Sequence, residues 1–174
     1  LMYYAHDVEN IAYTTKELAR GMHSPTAAND KDLSRLGRFL VDKMKHGIEH
    51  KIDEGSSPTK RVLVLQADSD CQGDSVGRST AGYRAFINGY KLGHSSTTQP
   101  GLPSLSSGEA ETRTLSKAAC DGIYIQSVMK EWNRPCELSL ETDAAVACLS
   151  SQKLSGGRMK HLLAAETLIR SLVN

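Results

Sequence analysis

Isolated carboxylates recur along this chain where a strand should end or a helix begin. Ala67-Asp68-Ser69-Asp70 closes an apolar run, Ser106-Ser107-Gly108-Glu109-Ala110-Glu111 opens a long helical pattern, and Leu140-Glu141-Thr142-Asp143 closes a short strand-like run. One fold can gather such acids at a single edge although they lie far apart in sequence. Clustered carboxylates do not neutralise one another, and hard divalent cations such as Mg²⁺ prefer oxygen ligands. The chemistry these residue types suit is metal-assisted phosphodiester hydrolysis. Singly, each acid has an ordinary explanation: Asp favours bends, acids complement the first turn of a helix, and Asp is a common N-cap. It is the ordered set that points to metal chemistry.

The elements that must position these acids can be read from periodicity. Residues 1–50 are helical in period: Ile11, Leu18 and Met22 recur near 3.6-residue spacing, and Ser24-Pro25-Thr26 stops that helix. A second helix opens near Asn29-Asp30 and runs through Leu33, Leu36, Phe39, Leu40 and Met44 to Gly47, a C-cap candidate. Asp53-Glu54-Gly55-Ser56-Ser57-Pro58 is rich in turn formers and reads as a linker. Beyond it the period becomes that of strands. Residues 61–66 form a short buried strand that delivers Asp68 at its C-terminal end. Residues 81–87 and 90–94 flank Asn88-Gly89, the strongest two-residue hairpin signal, and pair as a hairpin. A long helix follows over 107–132, with Ala110, Leu115, Ala118, Ile123 and Met129 among its apolar positions and Asn133-Arg134-Pro135 ending it. Residues 137–140 form another strand, 144–151 a short helix and 162–172 a closing helix, with Ser155-Gly156-Gly157 as a flexible turn between the last two.

The 174 residues carry 21 Lys and Arg against 20 Asp and Glu, a formal net charge of +1, so no global basicity advertises a polyanionic partner. Such a partner would be held by a local patch or by metal ions. The four cysteines, Cys71, Cys120, Cys136 and Cys148, show neither paired zinc-site spacing nor the density of a disulfide scaffold. They read as small buried residues, kept reduced in an intracellular protein. No apolar run approaches the ~20 residues of a membrane span, so no membrane partner is expected, and Leu1 opens no signal-like segment. A start at Leu1, already within a helix-like pattern, suits a piece of a longer polypeptide. No Gly-x-Ser-x-Gly elbow supports acyl chemistry at Ser106 or Ser107.

The order of strands and helices, with acids at the first strand, the long helix and the fourth strand, resembles the ribonuclease H fold. The segments "ADSDCQGDSVGRSTAGY", "HSSTTQPGLPSLSSGEAET", "LSLETDAAVACL" and "GGRMKHL" are similar to the ribonuclease H domain of copia-type LTR retrotransposon polyproteins. In front of them, "LMYYAHDVENIAYTTKELARGMHSPT" and "LGRFL" are similar to the end of the reverse transcriptase in those polyproteins. The resemblance covers almost the whole chain. It implies an α/β fold, a ribonuclease H-like mixed five-stranded sheet flanked by helices and preceded by an N-terminal helical segment. Residues 1–52 would be the reverse transcriptase part, 53–60 a linker and 61–174 the ribonuclease H-like domain.

The activity implied is hydrolysis of the RNA strand of RNA/DNA hybrids by two Mg²⁺ ions, with Mn²⁺ as substitute, during retrotransposon replication. The partners implied are the hybrid and the upstream reverse transcriptase domains. The setting implied is intracellular, cytoplasmic in a virus-like particle, with the nucleus as a further compartment. By resemblance Asp68 matches the first-strand acid that bridges both ions, Glu111 the helix acid, and Asp143 the acid ending the fourth strand. Residues two apart on a helix point about 200° apart, so Glu109 and Glu111 cannot both face one ion. Residues two apart on a strand share a face, which leaves Asp70 within reach of the site if the strand continues. His161 is the candidate for moving a proton or aiding product release. Arg78, Ser79, Thr80, Arg158 and Lys160 are the candidate substrate contacts.

The chain departs from the family at several places. A further acid is usual just after "KHL", where Leu163 stands here, and Glu166 lies one helical turn on as a shifted metal ligand. Thr97-Thr98 replaces a basic pair, while Cys71 and His94 stand where aromatic residues are common. These changes keep a second expectation in play: a decayed or domesticated, catalytically inactive scaffold that serves as a binding or assembly module.

Overall fold

The computed structural model describes residues 1–43, 60–74 and 77–143. Met44, Gly47, most of the linker, the helices expected over 144–151 and 162–172, and the fifth strand lie outside the described residues. The chain divides into two compact units, Leu1–Ser57 and Pro58–Asn174. Among the described residues no helix is long and apolar enough to cross a membrane.

The first unit is helical: α1 (Tyr4–Asp7), a 3-10 turn (Glu9–Ile11), α2 (Ala12–Arg20) and α3 (Ala27–Lys43). Ala5, Ile11 and Leu36 form its buried centre, with Val8, Leu18 and Leu40 packed around them. The first helix ends earlier than its apolar spacing suggests. Gly21 caps α2, and Met22 is 74% exposed rather than part of the buried stripe. The next helix begins earlier than Asn29, because Thr26 and Asn29 exchange hydrogen bonds as a cap. Thr26 N and Oγ1 donate to Asn29 Oδ1 at 2.9 and 2.7 Å, and Asn29 N donates back to Thr26 Oγ1. Leu33 and Phe39 face solvent, so the buried stripe of α3 is narrower than the sequence suggests.

The second unit is built on a four-stranded mixed sheet in the order β3-β2-β1-β4, comprising β1 (Val62–Asp70), β2 (Thr80–Ile87), β3 (Tyr90–Thr98) and β4 (Glu137–Glu141). Between β3 and β4 runs α4 (Ser107–Glu131). The architecture is α/β, with four strands among the described residues. β1 pairs antiparallel with β2 and parallel with β4. A parallel neighbour needs a crossover connection, and α4 lies within the one that leads to β4. Asn88 and Gly89 both take positive φ, 48° and 84°, as a tight hairpin turn demands. Asn88 also fastens that turn to β1: Val62 N donates to its Oδ1 at 2.9 Å and its own N donates to Val62 O at 3.0 Å.

Alternation along β1 puts Leu63, Leu65 and Ala67 on the face that α4 covers. Leu115 and Ala118 of α4 pack there with Cys136, while Ile125, Met129 and Leu138 close the margins. Ile125 occupies the stripe that the apolar pattern offered to Ile123, because the centre of the stripe is Gly122. A Cβ at Gly122 would sit 2.7 Å from Leu138 Cδ1 and 3.3 Å from Leu65 Cδ1. The C-terminus of α4 is a Schellman cap. Asn133 takes φ 56°, Arg134 N donates to Met129 O at 2.8 Å and Asn133 N donates to Lys130 O at 2.9 Å. Of the cysteines, Cys136 is buried, whereas Cys71 and Cys120 are exposed, contrary to their reading as small core residues.

Because α4 lies so close to β1 and β4 at Gly122, Gly122→Val should force strain of about 1–3 kcal/mol. Urea unfolding of the two proteins measures it as a lower midpoint with an unchanged slope.

Candidate active site where β1, α4 and β4 meet

The chain carries seven acids in the three motifs and in the loop after β1 that could be read as ligands, and local structure engages most of them elsewhere. Asp70 accepts a hydrogen bond from Thr80 N across the end of the β1-β2 pair. Its carboxylate also lies against Gly73, leaving no room for a Cβ there. Asp74 accepts from Arg78 N at 2.6 Å and from Arg78 Nε at 3.1 Å. Glu109, only 2% exposed, turns back over the helix start. Its Oε2 accepts from Leu105 N at 2.9 Å, and its Oε1 pairs with Arg113 Nη2 at 2.7 Å. Its own N donates to the Oγ of Ser106, which caps α4.

Glu111 points elsewhere. Its Oε2 is buried and has no hydrogen-bond partner. The carboxyl of Glu111 is pushed above the usual carboxylate range. Burial is the largest cause, and the negative charges of Asp68 and Asp143 add to it, while the Ser69 hydroxyl and backbone N–H oppose it. The acids of three separate elements therefore lie within one another's field. The β1-β4 register pairs Gln66 with Glu141, and carried two residues further it sets Asp143 level with Asp68.

Charge influence reaches farther than ligation does. Among the described residues no three His, Cys, Asp or Glu side chains converge closely enough to hold a metal ion. Alternation supplies a physical reason. Asp68 shares a strand face with Gln66 and Asp70, whereas Ser69, beside Glu111, belongs to the face that α4 covers. In chemistry the donors nonetheless fit a hard divalent cation. All are carboxylate oxygens, and the buried Oε2 of Glu111 has an unused acceptor site.

The candidate substrate contacts fare differently. Ser79 is 1% exposed, and its Oγ accepts from Gln72 N at 3.1 Å, so it holds the loop together and offers no surface to a ligand. Arg78 is partly exposed and held by Asp74. Thr80 opens β2 beside Asp70. His161, Glu166, Arg158, Lys160 and the Leu163 position all lie outside the described residues.

Sequence reading missed Gln99, the hub of a buried polar network beneath the start of α4. Its Nε2 donates to Ala110 O at 2.7 Å and to Thr114 Oγ1 at 3.0 Å, its Oε1 accepts from Ser104 Oγ at 3.0 Å, and its N donates to Ser79 O at 2.8 Å. Gln72 Nε2 joins in through Ser104 O at 2.9 Å. The only sequence signal is a Gln at a strand end just before a Pro-Gly turn, which many exposed loops share. Across the helix, Tyr83 of β2 is pushed up to about 12, mainly by burial and then by its hydrogen bond and proximity to Asp121 of α4. That contact adds a second polar tie between helix and sheet.

No protein-family model matches this chain, and no curated protein matches it. A solved structure that is similar is LC11-RNase H1, isolated from compost by a metagenomic approach. It shares 17% identity over 63% of this chain and 74% of that one, with a TM-score of 0.44.

Two outcomes follow from this geometry. Gln99→Leu strands Ser104 Oγ in a buried setting and should cost about 1–3 kcal/mol, measurable by denaturant unfolding. Glu111 behaves oppositely. A carboxyl whose folded pKa is raised lends stability at low pH and loses it as pH rises through the folded value. Glu111→Gln should therefore raise Tm in chelator at about pH 7.5, and that gain should vanish near pH 3.5, below the ordinary Glu value of ~4.3. A lower Tm at the higher pH would mean that the charge is not under strain.

Proposed function

We propose that the unit Pro58–Asn174 is a ribonuclease H-type, metal-dependent endonuclease that hydrolyses the RNA strand of RNA/DNA hybrids with two Mg²⁺ ions, Mn²⁺ substituting, during retrotransposon replication. The observation that carries this reading is the field that Asp68 and Asp143 exert on Glu111, a carboxyl with a buried, unpartnered oxygen. The order of elements from β1 to β4 and the sequence resemblance support it. The segment 1–52 is proposed to be the end of a reverse transcriptase whose upstream domains are partners of this one. The proposed setting is intracellular, in a cytoplasmic virus-like particle with access to the nucleus.

Asp68, Glu111 and Asp143 are the proposed ligands, with Glu166 completing them. Bound there, Mg²⁺ would supply Lewis acidity toward a phosphoryl oxygen and lower the pKa of water. Glu111 ligates only when deprotonated, so its raised pKa makes cation binding compete with a proton. Asp68 is exposed and faces the side from which a phosphodiester can arrive. Arg78, its guanidinium oriented by Asp74, and Thr80 stand at the start of β2 as phosphate contacts. Arg158 and Lys160 are proposed for the same role, and His161 for moving a proton.

One observation favours a second reading. The described carboxylates do not converge on one ion, as they need not in an inactive scaffold that acts as a binding or assembly module.

Cleavage of a labelled RNA/DNA hybrid in Mg²⁺ and in Mn²⁺ separates the two readings. Asp68→Asn should lower cleavage by more than about 100-fold, beyond the ~10–100-fold that loss of a supporting group around a metal site costs. Cleavage that survives the substitution removes Asp68 from the chemistry. A chain inert in both metals is the scaffold.

A further inference from the structure

Directly opposite Asp68, in the middle of β2, stands Gly82. Residues paired across an antiparallel ladder share a sheet face, so the missing side chain leaves a gap beside the Asp68 carboxylate. On the far side of the gap the partner of Gly82 is Ser96 of β3, half-buried.

A glycine within a strand weakens it, and it usually marks a bulge, an unusual backbone angle or a close approach. Gly82 is not among the glycines with positive φ, which among the described residues are Gly77, Gly89 and Gly101. The irregularity between β2 and β3 falls between Ala85 and Phe86, not at Gly82. A Cβ built on Gly82 would meet, among the described residues, only Asp68 O and Ser95 O, each at 3.7 Å, which is ordinary contact. The helix lies on the other face, where neighbouring Ala81 is buried. The described fold therefore has room for a side chain here and gains nothing from its absence. Among the described residues the bare backbone of Gly82 thus stands open beside the exposed Asp68.

We propose that Gly82 is a positioning residue: the nucleic-acid strand carrying the scissile phosphate passes over its bare backbone to reach Asp68. The proposal rests on the nuclease reading and deepens it, since it states where the substrate backbone runs. A side chain at this position lifts the phosphate away from the carboxylates without disturbing the strand.

The test compares Gly82→Ala and Gly82→Val with the wild type in the full 174-residue chain. Three readouts are needed: Tm, hybrid cleavage, and hybrid binding by fluorescence anisotropy in an Asp68→Asn background that holds the substrate uncut. Tm should stay level or rise. Cleavage kcat/KM should fall roughly 10²-fold for Val, the size of effect that a 1 Å misplacement carries, and less for Ala. Hybrid binding should weaken in the same order. A Gly82→Val chain that cleaves and binds within about twofold of the wild type, the scatter of a neutral surface change, overturns the proposal. A fall in Tm that parallels the lost cleavage also overturns it, because the glycine would then serve the fold. The underlying reading fails separately. If Asp68→Asn cleaves like the wild type, the carboxylate chemistry is wrong whatever Gly82 does. A wild type that neither cleaves nor binds hybrid sinks both.

Discussion

α4 comes as close to β1 as it does because Gly122 has no side chain, and the position of the carboxylates depends on that approach. At Gly122 the helix backbone sits against Leu65 of β1 and Leu138 of β4. Leu63, Leu65, Leu115 and Ala118 then seal the contact, each large side chain contributing about 1.5–3 kcal/mol by its burial. Glu111 lies eleven residues back along a rigid helix, about 16 Å away at 1.5 Å per residue. From Leu65 to Ser69, four residues along the strand, is about 13 Å. The two rulers nearly match, so a helix anchored at Gly122 brings Glu111 over the end of β1 at Ser69.

Anchoring the middle of α4 does not by itself decide which acid faces the sheet's edge. That choice is made at the N-terminus of α4, where Glu109 is drawn back by Leu105 N and Arg113 while the Gln99 network holds the Ala110 carbonyl from below. With Glu109 buried in its own ion pair, rotation of the helix that would bring it toward β1 would break several satisfied polar contacts at once. Asp70 and Asp74 are held in the same manner by the β1-β2 loop, through Thr80 N and Arg78. Local hydrogen bonding thus removes the neighbours that could compete with Asp68 and Glu111. The polar network acts as a selector of carboxylates as well as a support.

How much of this was legible in the sequence follows from the range of each interaction. The hairpin was legible because Asn88-Gly89 needs only its own backbone angles. The end of α4 was legible because Asn133 and Pro135 act within one turn. β1 and β3 ran past their expected ends to Asp70 and Thr98, since pairing with neighbouring strands overrides the polar residues that looked like loop. The stripe of α4 was misread at Ile123 because no periodicity marks a glycine as the point of closest contact. Ser79 resembled a surface hydroxyl and proved buried, because its partner Gln72 is assigned by the loop's path and not by spacing. The three separated acids were visible as residue types, but the difference between Glu109 and Glu111 is set by Arg113, Leu105 and Ser69, contacts that no pattern in one sequence displays.

The arrangement that remains is electrically unsettled in a specific way. Carboxylates brought into one another's field without a positive partner must take up a proton or stay apart, since two unit charges a few ångströms apart repel by about 4 kcal/mol at 4 Å in a surface-like dielectric. Both responses are present. Glu111 holds its proton more tightly than an ordinary Glu, and strand alternation keeps Asp68 on the opposite sheet face from Ser69. Neither response removes the orphaned Oε2 of Glu111, which burial deprives of water and geometry deprives of a donor. A group left so at the junction of three elements destabilises the fold that carries it. Asp68 meets its charge differently: it stands exposed on the opposite sheet face, where water solvates the carboxylate that burial denies to Glu111.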